Sequence, residues 1–104
     1  MTAYQSVKDA LIGITISRAK ALLSLAKSRK EYPDTDDIRE ATGFDSTQLG
    51  GLASALTKTI IAGEQLLTVR PVRIDRNTTQ YIWNSEVATK EQVIRVLKEF
   101  GMEI

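Results

Sequence analysis

The spacing of apolar residues along the chain predicts a mostly helical protein with one two-stranded ribbon. Tyr4, Val7 and Leu11 recur at helical spacing, which predicts a first helix over about 3–12. Gly13 and the β-branched run at 14–16 interrupt it, so we expect a break or short extended piece and then a second helix over about 17–31, with Ser17 as its cap. One continuous, kinked helix is the alternative interpretation.

A third helix is predicted from Asp34 to Thr42. Pro33 ends the helix before it, since the residue preceding a proline avoids helical geometry, and Gly43 stops the new one. The acidic residues of this stretch would then occupy a first helical turn, where they meet the positive end of the helix dipole. This capping role explains the acidic cluster better than a metal-binding or catalytic role.

The segment GFDSTQLGGLASALTKTI, residues 43–60, predicts a further helix capped by Asp45 or Ser46. Its apolar positions are spaced by three and four, as on one buried face: Leu49, Leu52, Ala53, Leu56 and Ile60. Gly50 and Gly51 lie side by side in its first half, although each costs about 1 kcal/mol relative to alanine. They could allow close approach to DNA, allow close packing on another helix, or form an irregular first turn.

Strand-like patterns begin after Gly63. Segments 66–74 and 79–84 predict an antiparallel ribbon, with Pro71 at an edge or bulge. Thr89 and Gln92 then form a capping box for a last helix, whose apolar face consists of Val93, Val96, Leu97 and Phe100. That helix either covers the core or contributes to a dimer interface.

A glycine at 43, followed by Phe44 and by apolar residues at 49 and 52, has the spacing of a helix-turn-helix, and Ile38 supplies the apolar position of the preceding helix. Arg39 and Thr42 depart from the motif, which usually has a small and an apolar residue there. With the ribbon that follows, the chain resembles a winged helix-turn-helix over about 17–84. We therefore expect an α+β, mostly helical single domain over 1–104, with an N-terminal extension helix (1–16), a winged-helix core (17–84) and a C-terminal helix (85–104).

Composition argues against several classes of function. The chain has no histidine and no cysteine, so it offers no imidazole base, no thiol nucleophile and no zinc site with nitrogen and sulfur ligands. We expect no enzymatic activity, no metal and no cofactor. No apolar run approaches the roughly 18 residues that span a bilayer, and the N-terminus lacks the pattern of a signal peptide. A cytoplasmic location is expected.

Charge is distributed unevenly, although the net charge is only +1. Residues 1–33 carry six Lys/Arg and two acidic residues, whereas residues 34–45 carry one and five. Such a polarised surface is compatible with nucleic acid on one side of the molecule.

The resemblance implies that helix 46–60 enters the major groove of double-stranded DNA and that the ribbon is the wing. The small, weakly polar outer face of this helix would allow it to approach the groove floor closely, and Gln48 could contact an adenine edge. Lys58 and Arg76 would contact phosphate or the minor groove, with a weaker expectation for Arg70 and Arg73. The expected DNA-binding residues are Ser46, Thr47, Gln48, Gly50, Gly51, Ser54, Lys58, Arg73, Arg76 and Asn77.

The leading hypothesis is a small transcriptional regulator that acts by occupying a promoter, as a homodimer formed through the N- and/or C-terminal helices. The alternative is a winged-helix module that binds proteins and no nucleic acid. The DNA hypothesis requires Lys58 and Arg76 to share a face with some cations of the second helix, clear of Asp36 and Asp37. Those cations are Lys20, Lys27, Arg29 and Lys30.

Overall fold

The α+β class predicted from the sequence is confirmed by the computed structural model, which describes residues 4–71 and 79–103. Helices there surround a core, and the strands form two separate two-stranded antiparallel sheets. In chain order the elements are α1 Tyr4–Leu11, α2 Ile16–Lys27, α3 Thr35–Thr42, α4 Ser46–Gly50, α5 Leu52–Thr57, β1 Ile60–Ile61, β2 Glu64–Gln65, β3 Leu67–Pro71, β4 Thr79–Trp83 and α6 Lys90–Glu99.

Helix α2 is the centre of the core, because it is buried on nearly all sides from Ala21 to Ala26. Its cap is Thr15, whose hydroxyl accepts a hydrogen bond from the Arg18 N–H, so the predicted cap at Ser17 is wrong. The helix also ends earlier than the predicted residue 31. Ser28 adopts an extended conformation and its hydroxyl accepts the Lys30 N–H, a local bond that competes with helix continuation.

Helix α6 packs against this central helix, and α1 packs against α6. The apolar side chains on their inner faces are fully buried: Val7, Leu11, Val93, Val96 and Leu97. The Thr89–Gln92 capping box at the start of α6 is present as predicted. Of the two roles considered for the last helix, the structure therefore shows the covering of the core. The inner apolar faces of both helices pack within the chain, and the homodimer expected through these helices stays a prediction.

The turn between α3 and α4 follows the sequence prediction closely. Asp34 caps α3 in a capping box with Asp37, which confirms the capping role of the acidic cluster. Gly43 ends α3 in the left-handed conformation at φ 75°, where a side chain would be strained. Asp45 then caps α4 in a second capping box with Gln48.

The single helix predicted over 46–60 is interrupted at Gly51, which separates α4 from α5. Leu49, Leu52 and Leu56 are buried as expected, but Ile60 is 48% exposed and belongs to strand β1. The helix ends at Thr57 because the chain turns into a short hairpin, β1–β2, that the sequence prediction missed. Ala62 and Gly63 form its two-residue turn, both with positive φ (52° and 82°).

The predicted ribbon is observed as β3 paired with β4, from Leu67 opposite Trp83 to Pro71 opposite Thr79. The part of the predicted strand at 72–74 lies outside the described residues. The other edge of β4 bonds to the segment between α2 and α3, since the Tyr81 N–H donates to the Pro33 carbonyl at 2.8 Å. The hairpin is thereby joined to the start of α3.

Candidate nucleic-acid interface

The four apolar residues of the helix-turn-helix spacing come together in the core. Ile38, Leu49 and Leu52 are buried, and Phe44 is half-buried against them. The structure also accounts for one departure from the motif. Thr42 donates its hydroxyl to the Ile38 carbonyl at 2.6 Å and accepts the Phe44 N–H at 3.3 Å, so its polar group is satisfied at the helix end. These contacts fix how α4 leaves the turn.

The other departure from the motif, Arg39, points outward. Its guanidinium pairs with the Asp36 carboxylate at 2.9 Å on the exposed side of α3. A long side chain is therefore tolerated at this position, because it does not lie between the two helices.

The outer face of α4 and α5 is small, polar and free of acidic side chains between residues 46 and 58. Among the expected DNA-binding residues it exposes Thr47, Gln48, Gly50, Gly51, Ser54 and Lys58. Ser46 begins α4, but its side chain is outside what the structure describes. Lys58 caps the C-terminal end of α5, and no ion pair to it occurs within residues 4–71 and 79–103. One contiguous segment thus presents most of the predicted site.

The side chain of Gln48 already takes part in the capping box of α4. Its side-chain carbonyl accepts the Asp45 N–H at 3.0 Å, and the Asp45 carboxylate accepts the Gln48 N–H at 2.8 Å. A bidentate contact to adenine needs both the carbonyl and the amide of a glutamine. The amide hydrogens are free of the capping box, and the carbonyl oxygen, which can accept two hydrogen bonds, has one position left for a base.

The glycine pair has no packing partner within the described chain. A Cβ built on Gly50 or on Gly51 meets no other atom within 4 Å. The backbone of Gly51, at φ −100° and ψ −6°, is also one that residues with side chains adopt. Close packing inside the chain and a left-handed backbone are therefore both excluded as reasons for these glycines. The interruption at Gly51 matches the third explanation in part, because the helix is irregular where the pair lies.

Within its described residues the β3–β4 hairpin contributes one cation, Arg70, which lies toward the Pro71–Thr79 end of the strand pair. Arg70 donates to the Gln80 side chain at 2.9 Å, and its guanidinium lies 5.4 Å from the centre of the Tyr32 ring. Such a contact holds an exposed arginine in place. Tyr32 is distant in sequence, so no local pattern indicates this arrangement. The remaining wing residues of the predicted site, Arg73, Arg76 and Asn77, lie outside the described residues.

The lysines at the end of α2 are not clear of the acidic segment. Lys30 contacts Asp37 at 2.8 Å, and Lys27 lines a groove of about 470 Å³ together with Asp37 and Glu40. The hydrogen bond to Asp37 raises the pKa of Lys30. Burial raises the pKa of Asp37, but the bonds from Lys30 and from the Asp34 N–H outweigh it and lower the pKa overall. The charges of these two lysines therefore lie beside acidic side chains of α3.

The described ranges contain neither a metal-binding cluster nor a membrane-spanning helix. No group of three or more acidic side chains is placed there to hold a metal ion. Neither do those ranges contain a helix of the length and apolarity that crossing a bilayer requires.

Comparison of the chain with protein-family models, curated proteins and solved structures finds no match in any of the three. The functional interpretation below consequently rests on the residues and geometry of this chain.

Proposed function

We propose that the protein has a winged helix-turn-helix fold and binds double-stranded DNA, with α4 and α5 directed into the major groove and the β3–β4 hairpin as the wing. In this proposal it regulates transcription by occupying a promoter. The order of the elements supports it: α2, α3, a tight turn, the α4–α5 pair and then a hairpin. The bond between Tyr81 and Pro33, which ties the hairpin to the start of α3, also fits a winged helix.

The observation that carries the proposal is the open space around Gly50 and Gly51. Each glycine weakens a helix, and neither is required by packing or by backbone geometry within the described residues. Side chains would be absent from this surface if it had to lie close against another molecule. A DNA duplex is such a molecule, since a helix in the major groove (about 12 Å wide) brings its backbone close to the bases.

The surrounding chemistry agrees with a DNA partner. Thr47 and Ser54 offer hydroxyl groups to phosphates or base edges, and Lys58 offers a charge that no described acid neutralises. Asp45, the acid that caps the start of α4, accepts the Gln48 N–H. The proposed surface is therefore weakly basic, and its affinity would come from few phosphate contacts.

A second candidate function is protein binding by the same fold. It is favoured by the pairing of Lys30 with Asp37 and by the position of Lys27 beside Glu40, which reduce the basic area available to DNA. In that case the glycines would accommodate the backbone of a partner protein.

A salt-dependent DNA titration distinguishes the two. We expect a generic fluorescent duplex to bind with a Kd of about 10⁻⁴–10⁻⁶ M and to dissociate as salt increases. Lys58→Glu should weaken binding and reduce the salt dependence, whereas Lys98→Glu, the same charge change on exposed α6, should have a much smaller effect. Absence of binding at low salt by the folded wild type would favour the protein-binding function.

A further inference from the structure

Strand β3 is an edge strand, because within residues 4–71 and 79–103 it pairs only with β4. The middle of β3, consisting of Thr68, Val69 and Arg70, is exposed. The edge of a strand that faces away from its neighbour carries backbone N–H and C=O groups that can pair with another strand. We refer to this side of β3 as the free edge.

The hydrogen bond between Tyr81 and Pro33 shows which backbone groups of β3 point to the free edge. In an antiparallel pair, residues alternate between those whose N–H and C=O bond to the partner strand and those whose groups point away from it. The Tyr81 N–H donates to the Pro33 carbonyl at 2.8 Å, so the backbone of Tyr81 faces away from β3. Val69, directly opposite Tyr81, therefore directs its own N–H and C=O away from β4. Neither group of Val69 has a hydrogen bond within the described chain.

Pro71 agrees with this alternation. It lies two residues after Val69 and opposite Thr79, so its backbone nitrogen also points to the free edge. A proline is tolerated at such a position, since a missing N–H there costs no bond of the β3–β4 pair. The free edge thus runs from Leu67 to Pro71, with Val69 at its centre.

Arg70 leaves the centre of the free edge without a charge, because its side chain is turned the other way. The guanidinium donates to the Gln80 side chain at 2.9 Å and lies over the ring of Tyr32, so it extends across β4. Charged side chains on an edge strand commonly prevent pairing between molecules. Here the described side chains nearest the free edge are those of Thr68 and Val69, both β-branched and suited to a strand.

We propose that two copies of this chain associate by pairing their free edges antiparallel, about a two-fold axis at Val69. In this register the Val69 N–H of each copy donates to the Val69 carbonyl of the other. Thr68 of one copy lies opposite Arg70 of the other, so no like charges are directly opposed among the described residues. A strongly acidic or basic extended segment would find no opposite charge at the centre of this edge, whereas a second copy satisfies both backbone groups of both valines.

The proposed pairing uses a surface different from the expected DNA contacts and from helices α1 and α6. Arg73 and Arg76, which are expected to contact DNA, follow Pro71 in the chain. Because each strand contributes only five residues, the contact is small and the dimer should dissociate on dilution. This inference does not depend on DNA binding and is tested without DNA.

Sedimentation velocity over roughly 5–500 μM protein tests the association, since a weak dimer responds to concentration. We expect the wild-type sedimentation coefficient to rise with concentration. Val69→Lys should stay at the monomer value, because the two lysines would lie opposite each other. Ile12→Lys makes the same kind of change at an aliphatic residue that is 71% exposed elsewhere, and it should associate as the wild type does. A wild type that stays monomeric, or a Val69→Lys variant that still associates, would overturn the proposal.

Amide hydrogen exchange of the wild type, followed by NMR at low and high protein concentration, locates the contact without any substitution. The N–H groups of Thr68 and Arg70 point toward β4, so they should exchange slowly at both concentrations. The Val69 N–H should exchange freely in dilute protein and at least about tenfold more slowly in concentrated protein. Exchange of Val69 that does not depend on concentration would contradict pairing at the free edge, even if the protein associates through another surface.

Discussion

Thr35 and Thr79 join the first turn of α3 to the first residue of β4. The Thr35 hydroxyl accepts the Thr79 N–H at 3.1 Å and lies 3.4 Å from the Thr79 carbonyl. The Pro71–Thr79 end of the strand pair is thereby held against the start of α3. This side-chain bond adds to the backbone bond from Tyr81 to Pro33, which ties β4 to the segment just before α3.

Replacing Thr35 by valine should lower the free energy of unfolding by about 1 kcal/mol, because a half-buried backbone donor loses its acceptor. Urea denaturation measures the change. Thr68→Val, on the exposed face of β3 and without a described side-chain bond, is the matched control and should alter stability by less than about 0.5 kcal/mol. Equal losses of stability in both variants would show that the Thr35–Thr79 hydrogen bond does not account for the effect of Thr35→Val.

Substitutions at the two central residues of the β1–β2 turn should have opposite effects on stability. Ala62 has a left-handed backbone, which costs a residue with a side chain roughly 1–2 kcal/mol. Ala62→Asn should therefore stabilise the protein by about 0.5 kcal/mol, since asparagine tolerates this conformation better.

Gly63→Ala introduces the same strain at a neighbouring position, and it should destabilise the protein by about 1 kcal/mol. Thermal unfolding of both variants would check the pair. A change of the same sign in both would contradict the turn geometry.

The lowered pKa of Asp37 predicts that the folded protein loses stability at acidic pH. Its pKa in the folded state is lowered by the Lys30 ammonium and the Asp34 N–H, despite the opposing effect of burial. A carboxyl group whose folded pKa lies below its unfolded value of about 3.9 stabilises the fold above that pH. This contribution is lost as pH falls through the folded pKa.

Denaturant titrations between about pH 6 and pH 2 should show this loss for the wild type and a flatter profile for Asp37→Asn. Lys30→Gln should raise the pKa of Asp37, which carboxyl NMR can follow. A profile unchanged by Asp37→Asn would rule out this origin of acid sensitivity.

Gln48 allows capping and DNA contact to be separated. Gln48→Glu keeps an oxygen acceptor for the Asp45 N–H, as glutamate does in other capping boxes, so stability should change by less than about 0.5 kcal/mol. The variant loses the amide donor and adds a negative charge near the proposed groove, so DNA affinity should fall several-fold. Ser85→Glu, on an exposed turn, adds the same negative charge. Equal loss of affinity in both would argue against a contact by Gln48.

Local sequence signals predicted the helix ends that are set by neighbouring side chains. The start of α3 after Asp34, the capping box at Thr89 and the helix end at Gly43 are of this kind, because each depends on residues within four positions. The early end of α2 was missed because the Ser28–Lys30 bond competes with a pattern that continues to predict helix. The β1–β2 hairpin was missed because Ala62 is an unusual residue for a left-handed turn position.

The candidate site was predictable where it follows one helix face. Gly50, Gly51, Ser54 and Lys58 share an exposed segment because helical spacing places the leucines opposite them. What the sequence could not indicate depends on contacts between distant segments. The salt bridge between Lys30 and Asp37 and the position of Arg70 over the Tyr32 ring depend on such contacts.

The most direct test of the account is to fill the space around the glycine pair and measure stability and DNA affinity together. In Gly50→Gln, Gly51→Gln the new Cβ atoms meet no described atom of another element within 4 Å, so the protein should become more stable by about 1 kcal/mol as helix propensity improves. Affinity for duplex DNA, measured by fluorescence anisotropy, should fall at least tenfold. Ser85→Gln, on an exposed turn, should change neither quantity. A stabilised double variant that binds DNA as tightly as the wild type would contradict the proposal that these glycines allow close approach to the duplex.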